Sequence, residues 1–495
     1  MSRHSRRSCS LFYEVITIES GNQTLSRGIR TSAGSLRPEE VEHCVEVLQH
    51  IADSHGTILR SDRFNSLISK LYREGKRRDL HAGRRRQEAE DRALLATTRM
   101  VQIQRDTPPV ALMTSDEPPP APRKTLNRPE CCYICKEDYT DVHFFYHLLC
   151  PKCAAFNYRM RDLHADLAGR TALVTGGRVK IGFQTVLRLL RDGAKVIVTT
   201  RFPHAAARRF HAEPDADVWS GRLHLYGLDL RNIPAVESFA RHLLDKEPAL
   251  DIVIHNAAQT IRRPPGFYQD LVTQEQRPQE TLSAEARRLV VQSAPSTLAI
   301  SDSSVLLPSV LPGVPDVLPL KVLEDNEERA DSRATNSWLL RLDDVGAPEM
   351  LEVQLVNSVA PFLLNSRLKP LLLRSPFARR FIVNVSAVEG QFSRHKTVFH
   401  PHTNMAKAAL NMMTRTSGED YARDRIYMNS VDTGWVTDEN PTPKRTRNQE
   451  ERGFFAPLDI MDGMARIYHP IAQGVTGEEE PPFGVFLKDF VPCPW

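Results

Sequence analysis

Long apolar runs are missing from this chain of 495 residues. A membrane helix needs roughly 20 consecutive apolar residues, whereas the greasiest stretches, such as VLLPSVLPGV, are short and interrupted by proline, which excludes an integral membrane protein. A surplus of one charge is missing too. With 65 Lys and Arg against 61 Asp and Glu the net charge is +4, so no global field points toward nucleic acid or anionic lipid, and any basic patch is local. The start, MSRHSRRSCSLFYEV, has no apolar core of secretory length. It suggests a mitochondrial leader only weakly, and a cytoplasmic location is expected. Cysteine is scarce: eight are too few for a disulfide scaffold, and five lie between Cys131 and Cys153. That clustering points to metal binding in a reducing compartment.

What is present divides the chain into four parts. Residues 1–107 read as a leader and a helical accessory region, with one helix over 37–51 and a second beginning at 63–72. The second leads into KRRDLHAGRRRQEAEDR, whose mixed charge reads as a solvated helix face, with a nucleic-acid contact as the lesser alternative. Residues 108–129 form a proline-rich linker that cannot hold a core. Residues 130–163 carry the cysteine cluster. From 164 to 495, TALVTGG, FQTVLRLLRDG, AKVIVTTR, HLYGLDL and DIVIHNAA follow one another as a βαβ succession. The fold class is therefore α/β, a doubly wound parallel sheet covered by helices on both faces. The succession breaks near Thr260 and resumes near Glu349. The segment 260–347 reads as an insertion at the sheet's ligand edge, with 293–320 rich in serine, proline and short aliphatics.

Cys132 and Cys135 form one CxxC, and Cys150 and Cys153 form another, with fourteen residues between the pairs. Each CxxC turn aims two sulfurs at one point, so four thiolates can close a tetrahedral zinc shell around a short hairpin. Such a shell leaves no position for water, so the zinc is expected to be structural. Buried unligated cysteines or a disulfide pair are the alternative. Cys131, His143 and His147 are spare ligands, and the aromatics around the cluster make either its miniature core or a protein partner's surface.

TALVTGGRVKIGFQTVLRLLRDGAKVIVTTR places a glycine-bearing turn between a strand and an amphipathic helix, the arrangement that cradles pyrophosphate at a helix N-terminus. Gly176 permits the turn and Gly182 the close helix packing, while Lys180 stands where a middle glycine would sit. Asp229 and Leu230 follow the third strand, and Asn256 and Ala257 follow the fourth.

In these residues the chain, from about Leu167 to Trp495, resembles the short-chain dehydrogenase/reductase superfamily. The family's TGxxxGxG, strand-ending DL and NNAG appear here as TGGRVKIG, DL and HNAA. The basic residue at the middle glycine is similar to the variant of NADPH-dependent pteridine reductases. The resemblance implies a dinucleotide site at Thr175, Gly176, Arg178, Lys180, Ile181, Gly182, Asp229, Leu230, Asn256, Ala257, Lys407 and Gly434. Asp229 would contact the adenine ring and Asn256 would hold the backbone at the crevice. Arg201 stands where other members place an acid for the ribose hydroxyls, so with Arg178 or Lys180 it could clamp a 2′-phosphate, making NADP(H) the expected cofactor ahead of NAD(H). An exposed strand-end arginine is the plainer alternative. The C-terminal GVFLKDFVPCPW looks like the last strand and tail, which in relatives often helps build oligomers.

The family's proton-handling set of Asn, Ser, Tyr and Lys is half kept. Asn357 matches the asparagine and Lys407 the lysine of YxxxK, but the tyrosine position is Thr403 and the serine position is Ala387, with Ser386 just before it. A threonine hydroxyl is far less acidic and shorter than a phenol, and a positioned acid or base contributes roughly 10² to 10⁴ in rate. His400, His402 and Glu389 are candidate replacements, although two loop histidines at a helix start have an ordinary structural reading as well. The expectation is an NADP(H)-dependent oxidoreductase of an unknown small carbonyl or alcohol, with an altered site. The competing expectation is a catalytically silent dinucleotide-binding scaffold whose zinc module engages a partner.

Overall fold

The computed structural model describes residues 37–53, 62–105, 124–277, 281–291, 331 and 333–495. The expected leader and the segment 293–320 lie outside the described residues. The chain divides into two compact units, Met1–Leu94 with Leu126–Pro129, and Leu95–Thr125 with Glu130–Trp495. Among the described residues no helix is long and apolar enough to cross a membrane.

The first unit holds two helices, Pro38–Asp53 and Asp62–Leu95. The second continues without a break through the charged stretch, because Arg, Lys, Glu, Ala and Leu are good helix formers and pairs such as Arg86 with Glu90, one turn apart, support it. Asp91 is the one buried side chain of this helix. It accepts the backbone N–H groups of Asn127 and Arg128 at 2.7 and 3.2 Å.

β1 (Lys124–Cys131) pairs antiparallel with β2 (Asp138–Val142) through Lys124, Thr125, Glu130 and Cys131, which belong to the second unit. The strand takes in residues 124–129, which the sequence placed in the linker. Its pairing is irregular between Thr125 and Glu130, a stretch that tolerates Pro129 because no ladder N–H is required there. The expected hairpin thus turns through the first CxxC and does not fill the interval between the pairs.

Eight strands make the main sheet: β3 (Thr171–Thr175), β4 (Lys195–Thr200), β5 (Leu223–Gly227), β6 (Ile252–His255), β7 (Arg380–Ser386), β8 (Ile426–Asp432), β9 (Phe486–Lys488) and β10 (Val491–Cys493). Their order is β10-β9-β8-β7-β6-β3-β4-β5. All neighbours pair in parallel except β10 with β9. The chain winds outward from β3 to β5, then returns to lay β6 on the other side of β3. Between β3 and β6 the direction of winding reverses, and a crevice opens at the carboxyl ends of the strands.

Buried strand residues alternate between two cores. Ala172 and Val174, Val196 and Val198, and Ile252 and Ile254 face the helices Lys180–Arg191, Pro203–His211 and Ile460–Thr476. Leu173, Ile197 and Val253 face Ile233–Lys246 and Ala360–Leu373. A strand buried on both faces needs this continuous apolar pattern.

Candidate functional site

The turn after β3 is built around missing side chains. Gly176 has φ +70, and a Cβ there would lie 2.8 Å from Ala257 Cα; a Cβ on Gly182 would lie 2.2 Å from the Gly176 carbonyl oxygen. Lys180 keeps a positive φ of 53, so the chain retains the left-handed step of the missing middle glycine although it has a side chain there. Asn256 Nδ2 donates to the Gly176 and Thr175 carbonyls at 3.0 and 3.3 Å, and Thr175 Oγ1 accepts the Ala257 N–H at 3.1 Å. The loops after β3 and β6 are thereby locked at the switch point.

Above this turn lies a cleft of about 1220 Å³ whose wall includes Gly176, Arg178, Lys180, Ile181 and Gly182. Asn256 and Ala257, packed on the turn, and Arg201, Asp229 and Leu230 complete the wall. Thr175 is buried beneath it. Gly434, at φ +77, is packed against Leu458, while its neighbours Val436 and Thr437 reach the wall.

Five arginines line the cleft. Arg231 is paired with Asp229 and approaches Glu352, Arg262 is paired with Glu352, and Arg263 with Asp331. Asp229 also accepts the Arg231 N–H at 3.0 Å, and this pairing, against the effect of its burial, holds its carboxyl below the usual range. Its oxygens thus accept from Arg231 while Asp229 stays in the cleft wall. Arg201 makes no ion pair among the described residues; its guanidinium lies 4.4 Å from the centre of the Tyr268 ring and 5.2 Å from that of Phe202. Arg178 lies 5.5 Å from the Phe202 ring. Tyr268, Glu275, Arg231 and Glu352 were not singled out in the sequence. Arg231 could have been, two residues after Asp229, but Tyr268 and Glu275 sit in the insertion, where no spacing marks them.

The proton-handling candidates cluster behind the cleft and do not line it. Asn357 lies in a π-turn, Leu355–Val359, within the run of helix from Ala347 to Leu373. Pro361 cannot donate an N–H to the Asn357 carbonyl four residues earlier, which favours such a widened turn. Asn357 Oδ1 accepts the Gln259 N–H at 2.7 Å and its Nδ2 donates to the Gln259 carbonyl at 3.1 Å, tying this helix to the wall. Lys407, on the helix Pro401–Arg423, is buried and donates to the Val385 carbonyl at 2.8 Å. Burial pulls it down to about 8, with Glu389 and Asp432 opposing. The hydroxyls of Thr403 and Ser386 are buried with no hydrogen-bond partner among the described residues.

Of the candidate replacements, His400 is engaged elsewhere, whereas both ring nitrogens of His402 are buried without a hydrogen-bond partner among the described residues. The His402 ring is buried, with Nε2 3.4 Å from Glu349 Oε1. His400 stacks on Trp338 at 3.9 Å, and its N–H donates to the Leu340 carbonyl at 2.8 Å; burial pushes its imidazole down to about 4. Glu389 is half-buried and raised by burial and by Asp432.

The four sulfurs of Cys132, Cys135, Cys150 and Cys153 lie within 4.8 Å of one another, with Cys135 and Cys150 at 3.7 Å. Tetrahedral Zn–S bonds of about 2.3 Å place sulfurs about 3.8 Å apart, so the cluster fits zinc. The second pair opens the helix Pro151–Met160. Around it, Tyr133 Oη accepts the Trp435 N–H at 2.9 Å, and His147 Nε2 lies 3.3 Å from the Phe455 carbonyl. Arg161 donates to both Asp459 oxygens at 2.7 and 2.9 Å. The module is thus fastened to the loop after β8 and to the cap of the helix Ile460–Thr476.

The family model for short chain dehydrogenase matches residues 170–278. An uncharacterized protein of Acanthamoeba polyphaga mimivirus is 33% identical over 367 residues, 70% of this chain and 72% of that protein. Dehydrogenase/reductase SDR family member 13 of Bos taurus is 39% identical over 94 residues, which cover 19% of this chain and 24% of that relative. The NADPH-bound carbonyl reductase from chicken fatty liver is similar over 66% of this chain and 100% of its own, at 17% identity and a TM-score of 0.41. With the matched segment running from the start of β3 through the glycine turn to the loop after β6, and the strand order reversing beside β3, the chain belongs to the short-chain dehydrogenase/reductase superfamily.

Proposed function

We propose that the protein is an NADP(H)-dependent oxidoreductase of this superfamily, acting on a small carbonyl or alcohol with an atypical proton-handling site. The observation that carries the reading is Arg201, a cation in the wall of the dinucleotide cleft that has no carboxylate partner among the described residues, while Arg231, Arg262 and Arg263 beside it have theirs. A guanidinium left without an anion in such a cleft suits a phosphate. Gly176 and Gly182 let the turn close on Ala257 and Asn256 at the start of the helix Lys180–Arg191, whose N-terminus would receive a pyrophosphate. The cofactor, when bound, would supply or accept the hydride. The chain's own residues would hold its phosphates at Arg178, Lys180 and Arg201, and Lys407 would stand behind the reacting end.

The second reading is a silent dinucleotide-binding scaffold. It is favoured by Thr403 in the phenol's place and by the burial of Ser386, His402 and Lys407 outside the cleft wall. In both readings the cysteine module binds structural zinc and offers a surface to a protein partner, and the chain forms a homo-oligomer.

Fluorescence titration with NADPH and NADH, followed by NADPH oxidation over a panel of carbonyls, separates these readings. NADPH is expected to bind more tightly than NADH. Turnover that disappears in His402→Ala would assign the proton to that imidazole, whereas binding without turnover supports the scaffold. If neither cofactor binds, both readings fail.

A further inference from the structure

We propose that Tyr268, carried by the insertion, is a positioning residue that sets the preference for a 2′-phosphorylated cofactor by holding the Arg201 guanidinium over its ring in the cleft; this rests on the NADP(H) reading above. Three observations converge on it. The first is the stack itself: the guanidinium lies 4.4 Å from the Tyr268 ring centre and 5.2 Å from that of Phe202, whose two rings are 5.5 Å apart. A cation held over ring faces keeps its N–H edge free to meet an anion, which a carboxylate partner would not allow.

The second is rigidity. Tyr268 ends the short turn Pro265–Tyr268 and leads into the helix Gln269–Glu275. That helix is pinned to the helix Pro203–His211, because Glu275 accepts the N–H groups of Ala205 and His204 at 2.8 and 3.0 Å. Leu271 is buried against Phe202 and Ala205, with Tyr268 packed on the same cluster. The third is the removal of a competitor. The backbone N–H groups at the start of Pro203–His211 would otherwise attract an anion next to Arg201, and the Glu275 carboxylate already fills that seat. A phosphate on the adenosine ribose is left to the side-chain cation.

The test compares NADPH and NADH affinity in the full chain for Tyr268→Leu and Tyr268→Phe. Leucine keeps the apolar contact and deletes the ring face; phenylalanine keeps the face. Tyr268→Leu is expected to weaken NADPH by about fivefold and to change NADH by less than about twofold, while Tyr268→Phe keeps the wild-type ratio. Equal weakening of both cofactors in Tyr268→Leu, or an unchanged ratio, overturns the proposal, and circular dichroism and thermal melting of each variant establish that it is folded. A wild type that binds NADH at least as tightly as NADPH defeats the underlying cofactor reading instead, and is seen before any variant is made.

Discussion

Lys407 is held in a place that disfavours its charge. Its nitrogen is buried and has the Val385 carbonyl as a neutral partner, and burial brings it from an ordinary 10.5 to about 8. Below pH 8 the folded and unfolded chains both carry this proton, and the folded state bears the cost. Between pH 8 and 10.5 the unfolded chain still holds the proton while the folded one has lost it, so stability rises with pH across that window, by about 3 kcal/mol in total for this group. Urea unfolding at pH 7.5 and 9.5 should show about 2 kcal/mol of that rise in the wild type and less in Lys407→Met; equal slopes would place the ammonium in water. The family resemblance singled out Lys407 and Asn357, and the structure places both on helices. The sequence could not show that His400 is spent on Trp338 or that Asp229 is paired with Arg231, since those partners are decided by packing. Thr403 was legible as a loss, but what replaces a phenol depends on which neighbours turn inward, and the sequence does not carry that.

At the scale of elements, the cysteine module behaves as a clamp. Its hairpin, its helix and the loop between them bury Tyr139, Phe145, Tyr146 and Leu149, and metal binding, worth on the order of 10 kcal/mol in such knuckles, would add to the order this packing supplies. That order reaches the cleft through Tyr133 on the Trp435 N–H, His147 beside the Phe455 carbonyl and Arg161 on Asp459, because Val436, Thr437 and Ile460 line the cleft nearby. Removing the metal is therefore expected to speed hydrogen exchange at Trp435 and over 453–460 by at least about tenfold. Tyr133→Phe, which keeps the four sulfurs, should release Trp435 alone. Unchanged exchange after complete metal removal would mean that the module stands without metal. The CxxC spacing made the module legible in the sequence. Its docking was not, because the partners lie about 300 residues away and share no pattern.

The whole molecule was legible where helices and strands alternate: a βαβ succession with right-handed crossovers leaves few strand orders open, and HNAA falls beside the switch point after β6, while DL follows β5 two strands away in the same cleft wall. The insertion was legible only as an interruption, since short turns such as Pro265–Tyr268 carry no periodicity. Charge is unevenly placed in a way the total hides. The helix Asp62–Leu95 has ten basic and six acidic residues, which account for the entire net +4, the remaining 55 of each sign cancelling. Its side chains are almost all exposed, and its acids interleave with its bases, as Arg86 with Glu90 shows. Such a face can neutralise at most about four phosphates, so any attraction to duplex DNA or RNA should have a slope no steeper than about −4 in log affinity against log salt. Raising salt from about 50 to about 200 mM should then cost about a hundredfold, enough to abolish retention in a gel-shift assay. Binding that survives at about 200 mM, or a slope steeper than about −6, would show that these arginines are aligned on a polyanion and would displace the reading of this helix as a solvated face.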